Sequence, residues 1–232
     1  IGEAGDTTNL SAGTVTLPTS IITGASEKTT LVDADKFLIS DSADSNAFKH
    51  VQKSNLPSGT LVKLSEANIT SNVGSHFFSN VFSSTYDSYF LDIRKLRFAG
   101  DDRPQLRFLS DTGTSEFNNS YYGYVYYGLD VDNNEERENN SGDTRFLLTG
   151  THDADSNSDG GMTGNMYFYN PTANNGSSVN VVGQFGFRNS ANKWNGINFA
   201  GNYSSTSARY GFVLFAGGNI NELRATLYGI VK

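Results

Sequence analysis

The chain of 232 residues carries 24 acidic and 17 basic side chains, for a net charge of −7, and it contains no cysteine. The charge balance argues against a nucleic-acid-binding surface, because such surfaces neutralise phosphates with lysine and arginine. The lack of cysteine excludes disulfides, thiolate nucleophiles and cysteine-ligated metals. No apolar run approaches the ~20 residues that a membrane-spanning helix needs, so membrane insertion is not expected.

The first 60 residues lack the composition of an independently folding unit. Residues 1–30 are rich in Gly, Ser and Thr, and their isolated apolar side chains cannot offset the entropy lost on ordering. Two predicted strands, Lys36–Ser40 and Ala47–Lys53, then flank the sequence DSADSN, which is typical of a β-hairpin. A lone hairpin is marginally stable in water. Residues 1–60 are therefore expected to form an extended shaft or collar segment that sister subunits order, with its boundary at the Pro and Gly of Leu56–Gly59.

Residues 61–232 show a different pattern, in which apolar and polar side chains alternate with a period of two. In SVNVVGQFGFR, Val179, Val181 and Phe185 point one way while Asn180 and Gln184 point the other, and no segment has the period of a long helix. The 16 Phe and 12 Tyr suit a thin layer between two sheets, and the 24 Gly suit many turns. Roughly eight to ten strands are predicted, which indicates an all-β fold with an antiparallel, jelly-roll-like β-sandwich head.

Turns and the final strand are also predicted from this pattern. The turn-forming sequences between the strands are Asn175-Gly176, Asn195-Gly196, Gly217-Gly218 and Ser204–Ala208. The last segment, LRATLYGIV, offers an apolar side chain at nearly every second position as far as Val231. The last strand is therefore expected to lie inside a sheet, with both the backbone and the apolar side chains covered.

No pattern of a known catalytic site is present. The three histidines, His50, His76 and His152, are far apart in sequence, and neither G-x-S-x-G, H-E-x-x-H nor a phosphate-binding G-x-x-x-x-G-K-[ST] loop occurs. Glycoside hydrolysis needs two carboxylates about 5–5.5 Å or about 6.5–9.5 Å apart. The sequence singles out no such pair and shows no repeat period, so the protein is not expected to be an enzyme.

One acidic loop, HDADSNSDGG, has the alternating oxygen ligands that a hard cation prefers. It differs from an EF-hand, because Ser158 stands where that loop has glycine and no helix is predicted on either side. Two interpretations remain open, a solvated acidic hairpin loop and a calcium site. The calcium ligands would be Asp153, Asp155, Asn157 and Asp159.

Exposed aromatic side chains are the remaining candidates for binding a ligand. In SYYGYVYYG, Tyr122, Tyr124 and Tyr126 share one face of a predicted strand, and Tyr121, Val125 and Tyr127 share the other. One face is expected in the core, and the second at a subunit interface or against a sugar. Trp194 abuts a turn, so it either binds a partner or caps an end of the core. The candidate receptor-binding residues are therefore Trp194, Tyr122, Tyr124 and Tyr126.

Several segments, taken in order, resemble the distal part of tail fibres of marine and other tailed bacteriophages. These are VDADKFLISDSADSNAFKHVQKSNLPSG, TYDSYFLDIRKLRF, PQLRFLSDTG, MYFYNP and the terminal LYGIVK. The similarity runs from about residue 31 to residue 232. It implies a homotrimer with a thin shaft and a β-rich terminal domain, located in the virion and joined to other tail proteins. It carries over no ligand residues.

The resemblance implies adhesion to a host-surface glycan or protein rather than chemistry. Residues 1–60 would form the trimeric shaft, and residues 61–232 the receptor-binding head. Two alternatives stay open at this point. The chain could be a structural fibre or decoration of the capsid without a receptor, or a tailspike that cleaves a glycan.

Overall fold

The computed structural model describes residues 35–41, 47–52, 61–132, 134–158, 160–172 and 178–231. The chain divides into two units, Ile1–Ser58 and Gly59–Lys232. In the first unit, β1 (Lys36–Asp41) pairs antiparallel with β2 (Ala47–Gln52), so the two predicted hairpin strands are confirmed. The predicted turn between them and the expected shaft residues before and after them lie outside the described residues.

All regular structure described in the second unit is β-strand, as the alternation predicted. No helix occurs among the described residues of the chain, and hence none that is long and apolar enough to span a membrane. The eleven strands are β3 (Leu61–Ile69), β4 (Val73–Phe78), β5 (Ser88–Phe98), β6 (Gln105–Leu109), β7 (Tyr122–Asp130), β8 (Glu135–Asp143), β9 (Phe146–Leu147), β10 (Gly161–Tyr169), β11 (Val179–Arg188), β12 (Trp194–Tyr203) and β13 (Gly211–Ile230).

The strands form one antiparallel sheet organised around β13. Its order is β8-β7-β12-β11-β10-β5-β13-β6-β9, and β3 and β4 also pair with β13. The first part of β13 pairs with β4 and β6, and the last part pairs with β3 and β5. Ile220 marks the change, because it pairs with Val73 of β4 and with Phe98 of β5. The last strand therefore lies inside the sheet, as expected from its alternation.

Two of the predicted turns are wrong. Gly217-Gly218 lies within β13, where the strand passes from one set of partners to the other and Asp102 accepts a hydrogen bond from the Gly218 backbone NH. Asn195-Gly196 lies within β12, because the turn comes earlier, at Asn189–Lys193. There Asn192 has a φ of 65°, and the Asn189 side chain accepts hydrogen bonds from the backbone NH groups of residues 191 and 193. Residues 175 and 176 lie outside the described residues.

The eleven-stranded sheet is nearly closed around an aromatic core, which confirms the predicted all-β fold and is consistent with the predicted β-sandwich. Phe108 on β6 lies at the centre, fully buried, with ring centroids 5.3 Å from Tyr203 and 6.1 Å from Phe146. Phe212 on β13 stacks on Phe168 of β10 at 4.9 Å. Aromatic rings from strands that are distant in sequence therefore pack against one another in the core. Each buried ring stabilises the fold by about 1.5–3 kcal/mol relative to an exposed ring.

Replacing the central ring should cost much of the stability of the sandwich. We expect Phe108→Ala to lower the free energy of unfolding by about 3–5 kcal/mol, because it leaves a cavity in the aromatic core. The matched change Phe90→Ala removes a partly exposed ring from the outer face of β5 and should cost less than about 2 kcal/mol. Urea unfolding of both variants measures the difference. Equal losses would contradict the central place of Phe108.

Candidate binding surface

The outward-facing side chains of β5, β10, β11, β12 and β7 form a continuous surface, here called the outer face. Antiparallel register aligns these side chains in rows across the strands. In one row Tyr167 on β10 lies between Phe90 on β5 and Val182 on β11, and the row continues to Ala200 and Val125. The outer face is therefore a regular surface whose chemistry changes from row to row.

Four aromatic rings run along one side of the outer face. The Phe90 ring lies 6.1 Å from Tyr228 and 4.9 Å from Tyr167, measured between ring centroids. The Tyr167 and Tyr169 rings are 6.3 Å apart and nearly parallel, with 14° between their planes. Tyr169 exposes 38% of its surface. This aromatic strip offers flat apolar surface to a ligand, edged by hydroxyl groups.

Side-chain amides form the adjacent row. Asn165 lies opposite Gln184, which lies opposite Asn198, and the Gln184 amide nitrogen donates to the Asn198 oxygen at 3.0 Å. Amides and rings together line a shallow cleft of about 510 Å³. We call it the amide cleft; the side chains that define it are Asn165, Tyr167, Tyr169, Val182, Gln184 and Asn198.

Two glycines occupy the centre of the next row. Gly186 on β11 pairs with Gly196 on β12, and a Cβ atom added at either glycine would meet nothing within 4 Å. Thr163 on β10 pairs with Gly186 on its other side. This glycine trough opens into a second cleft of about 200 Å³, between Trp194 at one end and Arg94 and Lys95 at the other.

Trp194 belongs to the outer face and does not cap the core. It is the first residue of β12 and lies opposite Arg188. The burial pattern of the strand shows that the Trp194 side chain points outward, whereas the next side chain, Asn195, is buried. With 55% of its surface exposed, Trp194 presents an indole ring beside the trough. The position is accessible to a ligand, as the sequence prediction for this residue requires.

The prediction that the other three candidate residues bind a receptor is wrong, because their side chains are buried. Tyr122, Tyr124 and Tyr126 are 0%, 3% and 4% exposed, because this face of β7 packs into the aromatic core. Burial raises the pKa of Tyr122 above its ordinary value and raises the pKa of Tyr124 to about 12. Their hydroxyls serve internal hydrogen bonds, and the rings cannot contact a ligand. The opposite face, with Tyr121, Val125 and Tyr127, is the exposed one.

The described side chains of the acidic loop form ion pairs and hydrogen bonds with other residues of the chain. Asp153 pairs with Arg103 at 3.0 Å, and Asp155 pairs with Arg188 at 3.5 Å. Asn157 donates its backbone NH and its side-chain amide to the Asp155 carboxylate. Asp159 lies outside the described residues, and no three His, Cys, Asp or Glu side chains among the described residues are grouped as metal ligands. The geometry favours a structural loop over a calcium site.

No known protein family, curated protein or solved structure matches the chain. The outer face is therefore interpreted from its own chemistry. The sequence analysis did not identify its amides and rings as a site: Gln184 was only part of the polar side of SVNVVGQFGFR, and MYFY was only part of the resemblance. The sequence did not show that these two strands would be neighbours.

The acidic loop should make stability depend on pH. Burial by itself would raise the pKa of Asp155, but hydrogen bonds from Asn157 and the charge of Arg188 outweigh it and hold the pKa below its ordinary value. The ionised carboxylate therefore stabilises the fold above about pH 4, and this contribution is lost as the pH falls through the lower folded pKa. We expect Asp155→Asn to be destabilising at neutral pH, and the difference from the original protein to shrink on acidification.

Thermal unfolding across the acidic range measures this effect. Asp153→Asn is the control, because its ion pair with Arg103 is substantially exposed and such pairs contribute little. A difference between Asp155→Asn and the original protein that stayed constant down to roughly pH 3 would contradict the linkage.

Proposed function

We propose that this chain is a non-enzymatic adhesion protein, the distal part of a bacteriophage tail fibre, and that its outer face binds a host-surface glycan. Two independent observations support the proposal. The order of segments resembles such fibres, and the outer face joins exposed aromatic rings to a row of amides in one cleft. The amide cleft is the observation that carries the glycan assignment.

The chemistry of the cleft matches that of a sugar. One face of a sugar ring is lined by C–H groups and packs on flat aromatic surface, which Tyr167 and Tyr169 supply. Sugar hydroxyls both donate and accept hydrogen bonds, and so do side-chain amides. Asn165, Gln184 and Asn198 lie in consecutive strands, so their amides are spaced to contact successive hydroxyls.

The cleft suits binding rather than cleavage of a glycan. Hydrolysis requires an acid and a second carboxylate on either side of the scissile bond. No carboxylate is among the described residues that line the amide cleft. The tailspike alternative therefore has no support at this site. The structural-fibre alternative predicts that the amide cleft binds nothing, and the experiment below separates it from adhesion.

Removing one ring of the strip should weaken glycan binding. We expect Tyr169→Ala to reduce the affinity for the glycan about tenfold, equivalent to ~1.4 kcal/mol, because the glycan loses its stacking contact with the exposed ring. Tyr121→Ala is the matched control, since Tyr121 is 49% exposed but lies outside the cleft. Binding of the full chain to an array of bacterial surface polysaccharides gives the measurement. The proposal fails if no polysaccharide is bound, or if both variants bind as the original does.

The fibre assignment also predicts self-association. Homo-oligomers usually adopt closed symmetry, and a trimer would multiply weak single sites into strong attachment. We expect the full chain at micromolar concentration to have the mass of three copies in analytical ultracentrifugation. A stable monomer would contradict the proposed trimeric fibre and leave the glycan assignment to be judged by the array.

A further inference from the structure

We infer that the glycine trough binds an acidic sugar residue, so that the glycan recognised is anionic. The inference rests on the proposed function, because it names the class of glycan that the outer face takes. It depends on three features of the trough. Arg94 and Lys95 lie at one wall, Trp194 lies at the opposite wall, and Gly186 and Gly196 leave open space on the floor.

A β-bulge places both cations on the outer face. In the pairing of β5 with β10, Ile93 lies opposite Gly164 and Leu96 opposite Met162, so Arg94 and Lys95 together oppose the single residue Thr163. A bulge of this kind re-aims a side chain that regular alternation would turn inward. Arg94 is exposed and Lys95 half-buried, while Ile93 and Leu96 on either side are in the core.

The cations at this wall retain the capacity to bind an anion. Lys95 donates to the backbone carbonyls of Gly160 and Ser158, which are uncharged acceptors. Arg94 contacts the carboxylates of Glu66 at 3.3 Å and Asp92 at 4.0 Å and donates to the Thr226 hydroxyl, yet its side chain remains 51% exposed. The described residues that line the second cleft include these two cations and no carboxylate. Although the chain has a net charge of −7, the charged side chains that line this cleft are both positive, which favours an anionic ligand over a neutral one.

The opposite wall supplies a stacking surface. Trp194 stands on β12, three strands from β5, which corresponds to about 14 Å between the two backbones. Long side chains from both walls narrow this span. Gly186 and Gly196 leave the floor open on the side of Trp194, and the Thr163 side chain lies between these glycines and the cations. A sugar ring stacked on the indole would direct a carboxylate or sulfate toward the cations, where the hydrogen bonds are charge-assisted.

The trough continues the amide cleft. Gly186 and Gln184 are successive outward positions on β11, as are Gly196 and Asn198 on β12, about 7 Å apart along each strand. An extended oligosaccharide can therefore lie along these strands and contact the amides with one residue and the trough with the next. This continuity favours a polysaccharide over an acidic peptide, which would leave the amide cleft and the aromatic strip without sugar-like partners.

The single tryptophan makes the inference directly measurable. Trp194 is the only tryptophan of the chain, so its fluorescence reports on the trough alone. The full chain is titrated with acidic polysaccharides and their neutral counterparts: polygalacturonate against its methyl ester, and dextran sulfate against dextran. We expect at least one acidic member to change the emission at a concentration ten or more times lower than its counterpart. If neutral members act as well as acidic ones, the inference is overturned.

Variants locate the effect. Gly186→Val places a side chain in the trough, where an added Cβ meets nothing within 4 Å, and should abolish the fluorescence response. Gly74→Val, at an exposed strand glycine whose Cβ would also have no contact closer than 3.9 Å, should leave the response unchanged. Arg94→Gln combined with Lys95→Gln should remove the preference for acidic members, and Arg137→Gln, on the exposed edge strand β8, should not. Circular dichroism checks that all variants fold. Equal behaviour of each variant and its control would overturn the inference.

The outcomes separate this inference from the proposed function. Array binding that depends on Tyr169 but shows no preference for acidic glycans, and no response of Trp194, would overturn only the acidic trough. Failure to bind any polysaccharide, neutral or acidic, would contradict both. An emission change with an acidic peptide such as polyglutamate, equal to that with polysaccharides, would overturn the assignment to a sugar.

Discussion

The backbone pairing of β13 is the constraint on which the rest of the structure depends. This strand forms hydrogen bonds along both edges, with β4 and β6 over its first part and with β3 and β5 over its second. Burying a backbone NH or carbonyl group costs free energy unless the group is hydrogen-bonded. The pairing with β13 therefore holds four strands from different parts of the sequence in register. The approach is close enough that a Cβ at Gly211 would lie 2.0 Å from the Phe78 carbonyl oxygen, and only glycine fits there. Where β13 changes partners, Asp102 binds the Gly218 NH and keeps the strand continuous.

Register in turn decides which side chains become core and which become surface. A shift of one residue would exchange the two faces of every strand. With the register fixed, rings such as Phe108, Phe146 and Phe168 interdigitate in the core. The side chains that point to the other face of the same strands are not needed to fill the core. This freedom allows the outer face to hold residues that contribute little to stability, among them Gly186, Gly196 and the exposed Trp194. Glycine within a strand weakens it and often marks the close approach of a ligand or another backbone, so the pair of facing glycines with open space above them is compatible with the proposed ligand site.

The sequence was sufficient to predict the strands and their alternation, because a period of two is a local property. It was not sufficient to choose between the faces of β7, since both sides of SYYGYVYYG are aromatic. Tyr122 is buried because Phe108 and Phe146, from strands distant in sequence, pack against it. The Gly217-Gly218 pair has turn chemistry, but it lies within a strand, where Gly218 is bound by Asp102, more than 100 residues away. The bulge that brings Arg94 and Lys95 to one surface also arises from pairing, which the alternation does not encode. Of the candidate site, therefore, Trp194 could be named from the sequence and its neighbours could not.

The position of the site on paired strands rather than on loops has a consequence for affinity. Side chains on a hydrogen-bonded sheet lose little further freedom when a ligand binds, so the entropic cost of binding the proposed glycan would fall mainly on the glycan. The rings of the aromatic strip are already held against one another, with Phe90 between Tyr228 and Tyr167. A shallow, rigid surface of this kind gives modest single-site affinity and rapid exchange, because it encloses only one side of the ligand. Such a surface suits a protein that acts in several copies, where attachment strength comes from simultaneous contacts and each individual contact can be released.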